Sequence, residues 1–276
     1  MIDVTGKIAL VTGGGAGIGR GIAEALARAG AHVAVAEIDR ARAESARDSL
    51  GPEALVSVTD VRDTAQVNAL LAEVERRYGR LDVLVNNVGD FLGIVKPLER
   101  HTDEELDALY AVNLRQMFLV TRAALPVMKK SGPGGSIINI STIEAFRGIP
   151  MNVAYSAFKA GVSGFTRSLA LELGPAGIRV NEIAPETTES EQVKPSQWIP
   201  PKYKEHIPRW IPLGRFGRPA DAAGCALFLA SSLAGWVTGT TIHLDGGALA
   251  AGGWYRTPDG SWTNTPVVTG SGIGGF

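Results

Sequence analysis

Short runs rich in Val and Ile alternate along the chain with longer segments in which Ala, Leu, Glu and Arg recur at helical spacing. The runs are KIALV (7–11), HVAVAE (32–37), LVSVTD (55–60), LDVLVNN (81–87), GSIINIS (135–141), IRVNEIAP (178–185) and TIHLDGG (241–247); AEALARAG (23–30) is the first of the intervening segments. Near-continuous apolar strands separated by helices specify a parallel sheet covered on both faces, because parallel neighbours need a crossover and that crossover is nearly always right-handed. The expected fold class is α/β, as a single doubly wound domain with helices on both faces. No Pro/Gly linker divides the chain, and it has no short-period repeat beyond the βα alternation itself. Two regions break the rhythm: residues 186–212, rich in Pro and aromatics, and the tail, 250–276.

Composition narrows the function. A chain of 276 residues that is 45% hydrophobic suffices for one large core or two small ones. The 27 basic and 28 acidic residues leave a formal net charge of -1 with no block of one sign, which excludes a phosphate-tracking nucleic-acid surface. Cys225 is the only cysteine, so no intrachain disulfide forms; in AAGCALFLA it reads as a small core residue rather than a nucleophile. The start, MIDVTGK, has no basic region followed by an apolar run, and no apolar stretch approaches the roughly 20 residues of a spanning helix. A cytoplasmic protein without a membrane partner is expected.

Between the first strand and the first helix lies TGGGAGIG (12–19), which places Gly13, Gly17 and Gly19 in a Gly-x-x-x-Gly-x-Gly frame. A turn needing positive φ, a close backbone approach to a pyrophosphate and a helix N-terminus favouring negative charge all call for this composition. The plain alternative is a tight βα turn. Glu37, ending the second strand about 20 residues on, supplies the acid that a dinucleotide site uses to accept ribose hydroxyls. It would repel the extra phosphate of NADP, and neither Ala16 nor Ile38 is basic, although Arg40 is near. NAD is the expected cofactor, with NADP disfavoured.

YSAFK holds Tyr155 and Lys159 four apart in a helical segment, so both project from one face. A phenol titrates near pH 10, and a neighbouring ammonium is expected to lower that value and yield a usable general acid/base. Alone, the pair is an ordinary exposed helical pair.

The glycine turn, NNVG (86–89), VNL (112–114), NIST (139–142), YSAFK (155–159) and GRPADAAGCALFLASSLAGWVTGTTIHLDGG (217–247), in this order, resemble the short-chain dehydrogenase/reductase family from about Lys7 to Gly247. The resemblance implies a seven-stranded, mostly parallel Rossmann sheet and oxidoreduction of a secondary alcohol or carbonyl with a nicotinamide cofactor. It implies a catalytic domain over 1–249, with a substrate lid at about 187–213, followed by the tail, and a homotetramer or homodimer. Matched position by position, it makes Tyr155 the base and gives Lys159 both the tuning of that base and the nicotinamide ribose. It assigns Asn113 a water in a proton relay, the alternative being an amide that packs locally. Asp60 and Val61 would lie beside the adenine, with a helix cap as the plain reading of Asp60. Ile18, Asn87, Gly89, Pro185, Thr188 and Ser190 would complete the cofactor wall. Two departures stand out: Val88 replaces the family alanine, which would crowd the ribose, and Glu186 replaces the glycine after Pro185. The family serine precedes the tyrosine by thirteen positions, and that count lands on Thr142 rather than its neighbour Ser141. Adjacent strand side chains face opposite ways, so one of the two is expected to hold the substrate oxygen, and the count favours Thr142.

The lid segment contains Trp198, Tyr203, His206 and Trp210 among prolines, interleaved with Lys194, Lys202, Lys204 and Arg209. With Phe91 and Phe146 as further wall, an apolar, cyclic or aromatic substrate is expected, and Arg147 and the lid bases would admit a carboxylate. His206 reads as a surface residue. The tail carries Trp254, Tyr255, Trp262 and Phe276 among glycines and is expected either to pack on a neighbouring subunit or to stay unstructured. Two other readings compete: an NADPH-dependent reductase of 3-oxoacyl thioesters, against which Glu37 speaks, and a nicotinamide-binding sensor without turnover, whose signature would be a damaged Tyr–Lys pair.

Overall fold

The computed structural model describes residues 2–191, 193–252, 255–256 and 262–263. Seven strands, β1 (Ile8–Thr12), β2 (His32–Glu37), β3 (Leu55–Val58), β4 (Val83–Asn86), β5 (Ser136–Ile140), β6 (Arg179–Pro185) and β7 (Thr241–Leu244), lie in the order β3-β2-β1-β4-β5-β6-β7. All six neighbouring pairs are parallel. The helices are α1 (Gly17–Arg28), α2 (Arg40–Leu50), α3 (Thr64–Tyr78), α4 (Asp103–Tyr110), α5 (Gln116–Lys130), α6 (Glu144–Arg147), α7 (Val153–Leu173), α8 (Pro195–Trp198), α9 (Ile207–Trp210), α10 (Pro219–Ala230) and α11 (Ala248–Ala251). Among the described residues no helix is long and apolar enough to cross a membrane.

The continuous apolar runs have a direct cause. Ala9 and Val11 of β1 pack with Ile22 and Leu26 of α1 and with Ala222 and Ala226 of α10. Ile8 and Leu10, pointing the other way, pack with Leu70 and Val74 of α3, Val120 and Ala124 of α5 and Leu173 of α7. With both faces buried, the period-two alternation of a half-exposed strand disappears. A smaller cluster, Ile143, Ala184, Ile199, Ile207, Ile211 and Ala248, seats the lid elements α8 and α9 over the ends of β5 and β6.

Strand order reverses between β1, which leads to β2, and β4, which leads to β5, so the connections leave in opposite directions and a crevice opens at their C-terminal ends. Asn87, just after β4, closes its floor: its backbone N–H donates to Thr12 Oγ1 at 3.0 Å, and its side chain donates to the Thr12 and Gly13 carbonyls at 3.0 and 3.3 Å. Past α11, Tyr255–Arg256 pairs antiparallel with Trp262–Thr263. The expected packing of the tail aromatics, including Trp254 and Phe276, and the surface position of the His206 side chain lie outside the described residues.

Beneath the site a fully buried amide pair ties two central strands to two helices. Asn86 Nδ2 donates to Asn139 Oδ1 at 2.9 Å and to Thr121 Oγ1 at 3.0 Å, and Asn139 Nδ2 donates to Thr166 Oγ1 at 3.0 Å. Asn139→Ala removes an acceptor from Asn86, which keeps Thr121, and a donor from Thr166 in the core. It is expected to cost about 2–4 kcal/mol in urea denaturation, against less than about 0.5 kcal/mol for an exposed control such as Glu44→Ala.

Candidate active site

A cavity of about 1000 Å³ follows the crevice from the ends of β2 and β3, past β1 and β4, to β5, β6 and the lid. At one end Gly13 adopts a φ of +63°, the left-handed conformation that the turn after β1 requires. Helix α1 begins at Gly17 with Ala16 before it, so no side chain caps its first turn, and that turn contains no acidic residue. Ala16, Gly17 and Ile18 all line the cavity. A bare helix N-terminus facing a cleft through a glycine turn fits a pyrophosphate. Gly19 is one correction to the expected wall: it lies beneath the turn, where a Cβ would collide with the Gly13 carbonyl, and its role is to let helix and turn pack closely.

Glu37 borders the same end, buried, with one carboxylate oxygen accepting the Gly15 N–H and the other the Asp39 N–H, both at 3.1 Å. Asp60 is held by the Arg62 guanidinium at 2.8 Å, and the cap of α3 is Asp63, so Asp60 is not a capping residue. Asp60, Val61, Asn87, Val88, Gly89, Pro185, Thr188 and Ser190 all line the cavity. The Val88 side chain lies next to Gly13, where a Cβ would meet Val88 Cγ2 at 3.1 Å. Arg42 rather than Arg40 reaches the wall, where it pairs with Glu191 of the lid segment at 3.4 Å.

At the other end α7 presents Tyr155 and Lys159 to the cavity. β5 has ended by Ser141, so the two neighbouring hydroxyls are no longer bound to strict alternation and both lie in the wall. Thr142 Oγ1 donates to the Pro185 carbonyl at 3.4 Å and accepts the Glu144 N–H at 3.3 Å. Ser141 Oγ is buried without a partner. Lys159, only 3% exposed, donates to the Ile140 carbonyl at 3.2 Å, with Nζ 6.0 Å from the Tyr155 ring centre. Burial lowers its pKa to about 8, against the pull of Glu182 and Asp90. Burial also raises the Tyr155 phenol above its ordinary value; Glu144 and Asp90 push the same way, and only the Thr142 hydroxyl opposes them. Desolvation and two carboxylates, rather than the expected lowering by Lys159, therefore set the direction, and the protein by itself keeps Tyr155 protonated.

Three further expectations are corrected. The Asn113 side chain, in a π-helical turn (Ala111–Arg115) between α4 and α5, does not line the cavity; it accepts the Asp90 N–H and donates to the Asp90 and Leu109 carbonyls, so its amide is engaged in fixing Asp90. Phe146 is outside the wall, packed edge-on against His243 at 4.6 Å. Arg147 is outside it too: its guanidinium bridges Glu144 and Glu186, 2.7 Å from each, and is not presented to a substrate carboxylate. Glu186 in turn accepts the Thr187 N–H at 2.6 Å, and burial raises its carboxyl above the ordinary value in spite of Arg147. Phe91, Trp198 and Trp210 do form wall. The site residues not anticipated are Asp90 and Glu144, each a lone acid directly beside or two places beyond a recognised motif, in NNVGD and STIE.

A family model described as Enoyl-(Acyl carrier protein) reductase matches residues 13–248. The chain is a short-chain dehydrogenase/reductase. Membership makes it an oxidoreductase of a family built around nicotinamide cofactors. The chain is 36% identical to galactitol 2-dehydrogenase of Agrobacterium fabrum over 87% of its own length and 96% of that protein's. It is 38% identical to a 3-oxoacyl-(acyl-carrier-protein) reductase of Thermotoga maritima, covering 88% and 97% of the two. The solved structure of levodione reductase superposes with a TM-score of 0.83 at 35% identity, over 90% of this chain and 99% of the other.

The buried ammonium of this dehydrogenase/reductase makes stability depend on pH. Because its folded pKa of about 8 lies below the unfolded value of 10.5, the unfolded chain binds more protons between the two, and stability rises with pH through that window. Urea denaturation at pH 7.5 and pH 10 is expected to show the wild type gaining on the order of 3 kcal/mol relative to Lys159→Met.

Proposed function

We propose that this protein is an NAD-dependent dehydrogenase that interconverts a secondary alcohol and its ketone on a largely apolar, ring-shaped substrate. The observation that carries the reading is the meeting of Tyr155, Lys159 and the Ser141 and Thr142 hydroxyls at one end of a cavity whose other end is a glycine turn beside a buried acid, Glu37. A nicotinamide dinucleotide bound along that cavity supplies the hydride acceptor in one direction and the donor in the other. Gly13, Gly17 and Ile18 would hold its pyrophosphate, Glu37 its adenosine ribose and Lys159 its nicotinamide ribose.

Thr142 holds the substrate oxygen against Tyr155. In reduction the phenol delivers its proton to the oxygen as hydride reaches the carbon, and the raised pKa keeps that proton available through neutral pH. In oxidation the phenol must first lose its proton, so the rate rises with pH. The flat faces of Phe91, Trp198, Trp210 and Phe216 in the wall suit an apolar ring.

Carboxylate acceptors at Glu37 favour NAD, because the extra phosphate of NADP would face a buried negative charge. The same residue disfavours an NADPH-dependent 3-oxoacyl reductase, and an intact Tyr155–Lys159 pair disfavours a sensor without turnover.

Tyr155→Phe is expected to lower kcat by about 10³-fold or more with coenzyme binding, read by fluorescence, retained. Thr142→Ala is expected to cost about 10²-fold and Ser141→Ala distinctly less; the reverse order would exchange the two hydroxyls' roles, and full turnover by Tyr155→Phe would refute the mechanism. In a coenzyme comparison kcat/KM should favour NAD over NADP by about tenfold or more, and Glu37→Ala should narrow that ratio. Preference for NADP in the wild type would overturn the assignment.

A further inference from the structure

Around the phenol, the wall carries polar groups that the protein does not satisfy. Asp90 accepts the Leu92 N–H on Oδ1 at 2.7 Å, and among the described residues no ion pair reaches it. It lines the same cavity as Tyr155 and Lys159, and the residue before it, Gly89, lies so close to the Lys159 ammonium that a Cβ there would collide with Nζ. Glu144 shares one guanidinium with Glu186, so that cluster contributes two carboxylates and one cation, with Arg147 behind the wall. Two further wall residues hold buried polar atoms without a partner, Ser141 Oγ and Trp210 Nε1. The rest of this end is flat or branched hydrocarbon: Phe91, Leu92, Ile149, Trp198 and Phe216.

Each part of this wall selects. A half-buried carboxylate in the wall with no ion pair repels an anion and accepts a hydroxyl donor in a charge-assisted hydrogen bond. Aromatic and branched surface beside it fits the carbon skeleton that carries that hydroxyl.

We propose that the substrate is a neutral ring compound with a hydroxyl on the carbon next to the reacting one, a vicinal diol or the matching α-hydroxyketone, and that Asp90 selects it by accepting that second hydroxyl. This rests on the dehydrogenase reading above. The oxidised carbon gives its C–H hydride to the nicotinamide and its O–H proton to Tyr155; the neighbouring carbinol keeps all its bonds. A substrate without that hydroxyl leaves the Asp90 carboxylate desolvated and unpaired, and one with a carboxylate in its place meets like charge.

The test compares NAD-dependent oxidation of cyclohexanol, cis- and trans-1,2-cyclohexanediol and 2-hydroxycyclohexanecarboxylate by the full chain and by Asp90→Asn. Asparagine keeps an acceptor for the Leu92 N–H and replaces the second oxygen by a donor. The better diol is expected to exceed cyclohexanol in kcat/KM by about tenfold or more, with the carboxylate below cyclohexanol. Asp90→Asn is expected to cut the diol-to-cyclohexanol ratio at least about fivefold, a readout that a merely structural role would not move. If cyclohexanol is oxidised as well as either diol, or the ratio is unchanged in Asp90→Asn, the proposal fails and the dehydrogenase reading stands. If none of the four is oxidised and no corresponding ketone is reduced with either coenzyme, the dehydrogenase reading falls and takes the proposal with it.

Discussion

Parallel pairing of all seven strands delivers every strand's C-terminal end to one edge of the sheet, and the structure's chemistry depends on that. Gly13 after β1, Glu37 at the end of β2, Asp60 after β3, Asn87 after β4, Thr142 after β5 and Glu186 after β6 are remote in sequence and neighbours in space. The reversal of strand order between β1 and β4 makes the edge a trough instead of a ridge. Helix α7 then lies against the same edge and brings Tyr155 and Lys159 to it on successive turns. Each group thus comes from a rigid element or from the first residues beyond one, which keeps the reacting geometry narrow.

Electrostatics at the substrate end are set by burial more than by pairing. Lys159 lies in the interior with Glu182 in range, and that acid is itself fixed by the Ser163 and Thr241 hydroxyls at 2.9 and 2.8 Å. Desolvation moves ammonium and phenol in opposite directions, down for Lys159 and up for Tyr155, because it favours the uncharged form of each. The same low dielectric makes Asp90 and Glu144 felt at the phenol, although neither is a proton carrier.

Much of this was legible in the sequence. Strands buried on both faces show as unbroken apolar runs, so a doubly wound parallel sheet could be read from them, and the family resemblance supplied its seven members. The glycine turn, Glu37 and the Tyr155–Lys159 spacing were legible because backbone geometry or helix periodicity fixes them locally. What escaped was set by side-chain direction beyond an element's end. Phe146 and Arg147 sit in a four-residue helix whose orientation no periodicity encodes, so that one turned to His243 and the other to two acids. Asn113 was read from its motif, yet a π turn rotates its amide onto the Asp90 backbone. Asp90 and Glu144 were passed over because a lone acid beside a motif looks like solvated surface until the fold sets it in the cavity wall.

The Glu144–Arg147–Glu186 bridge couples three positions. It staples the loop that carries Thr142 to the loop that carries Thr187 and Thr188, and losing its cation alone would leave two buried carboxylates face to face. Glycine at 186 would in turn strand half of a guanidinium. Each of the three positions therefore constrains the other two: a change at one alone leaves a buried carboxylate or part of a guanidinium without its partner.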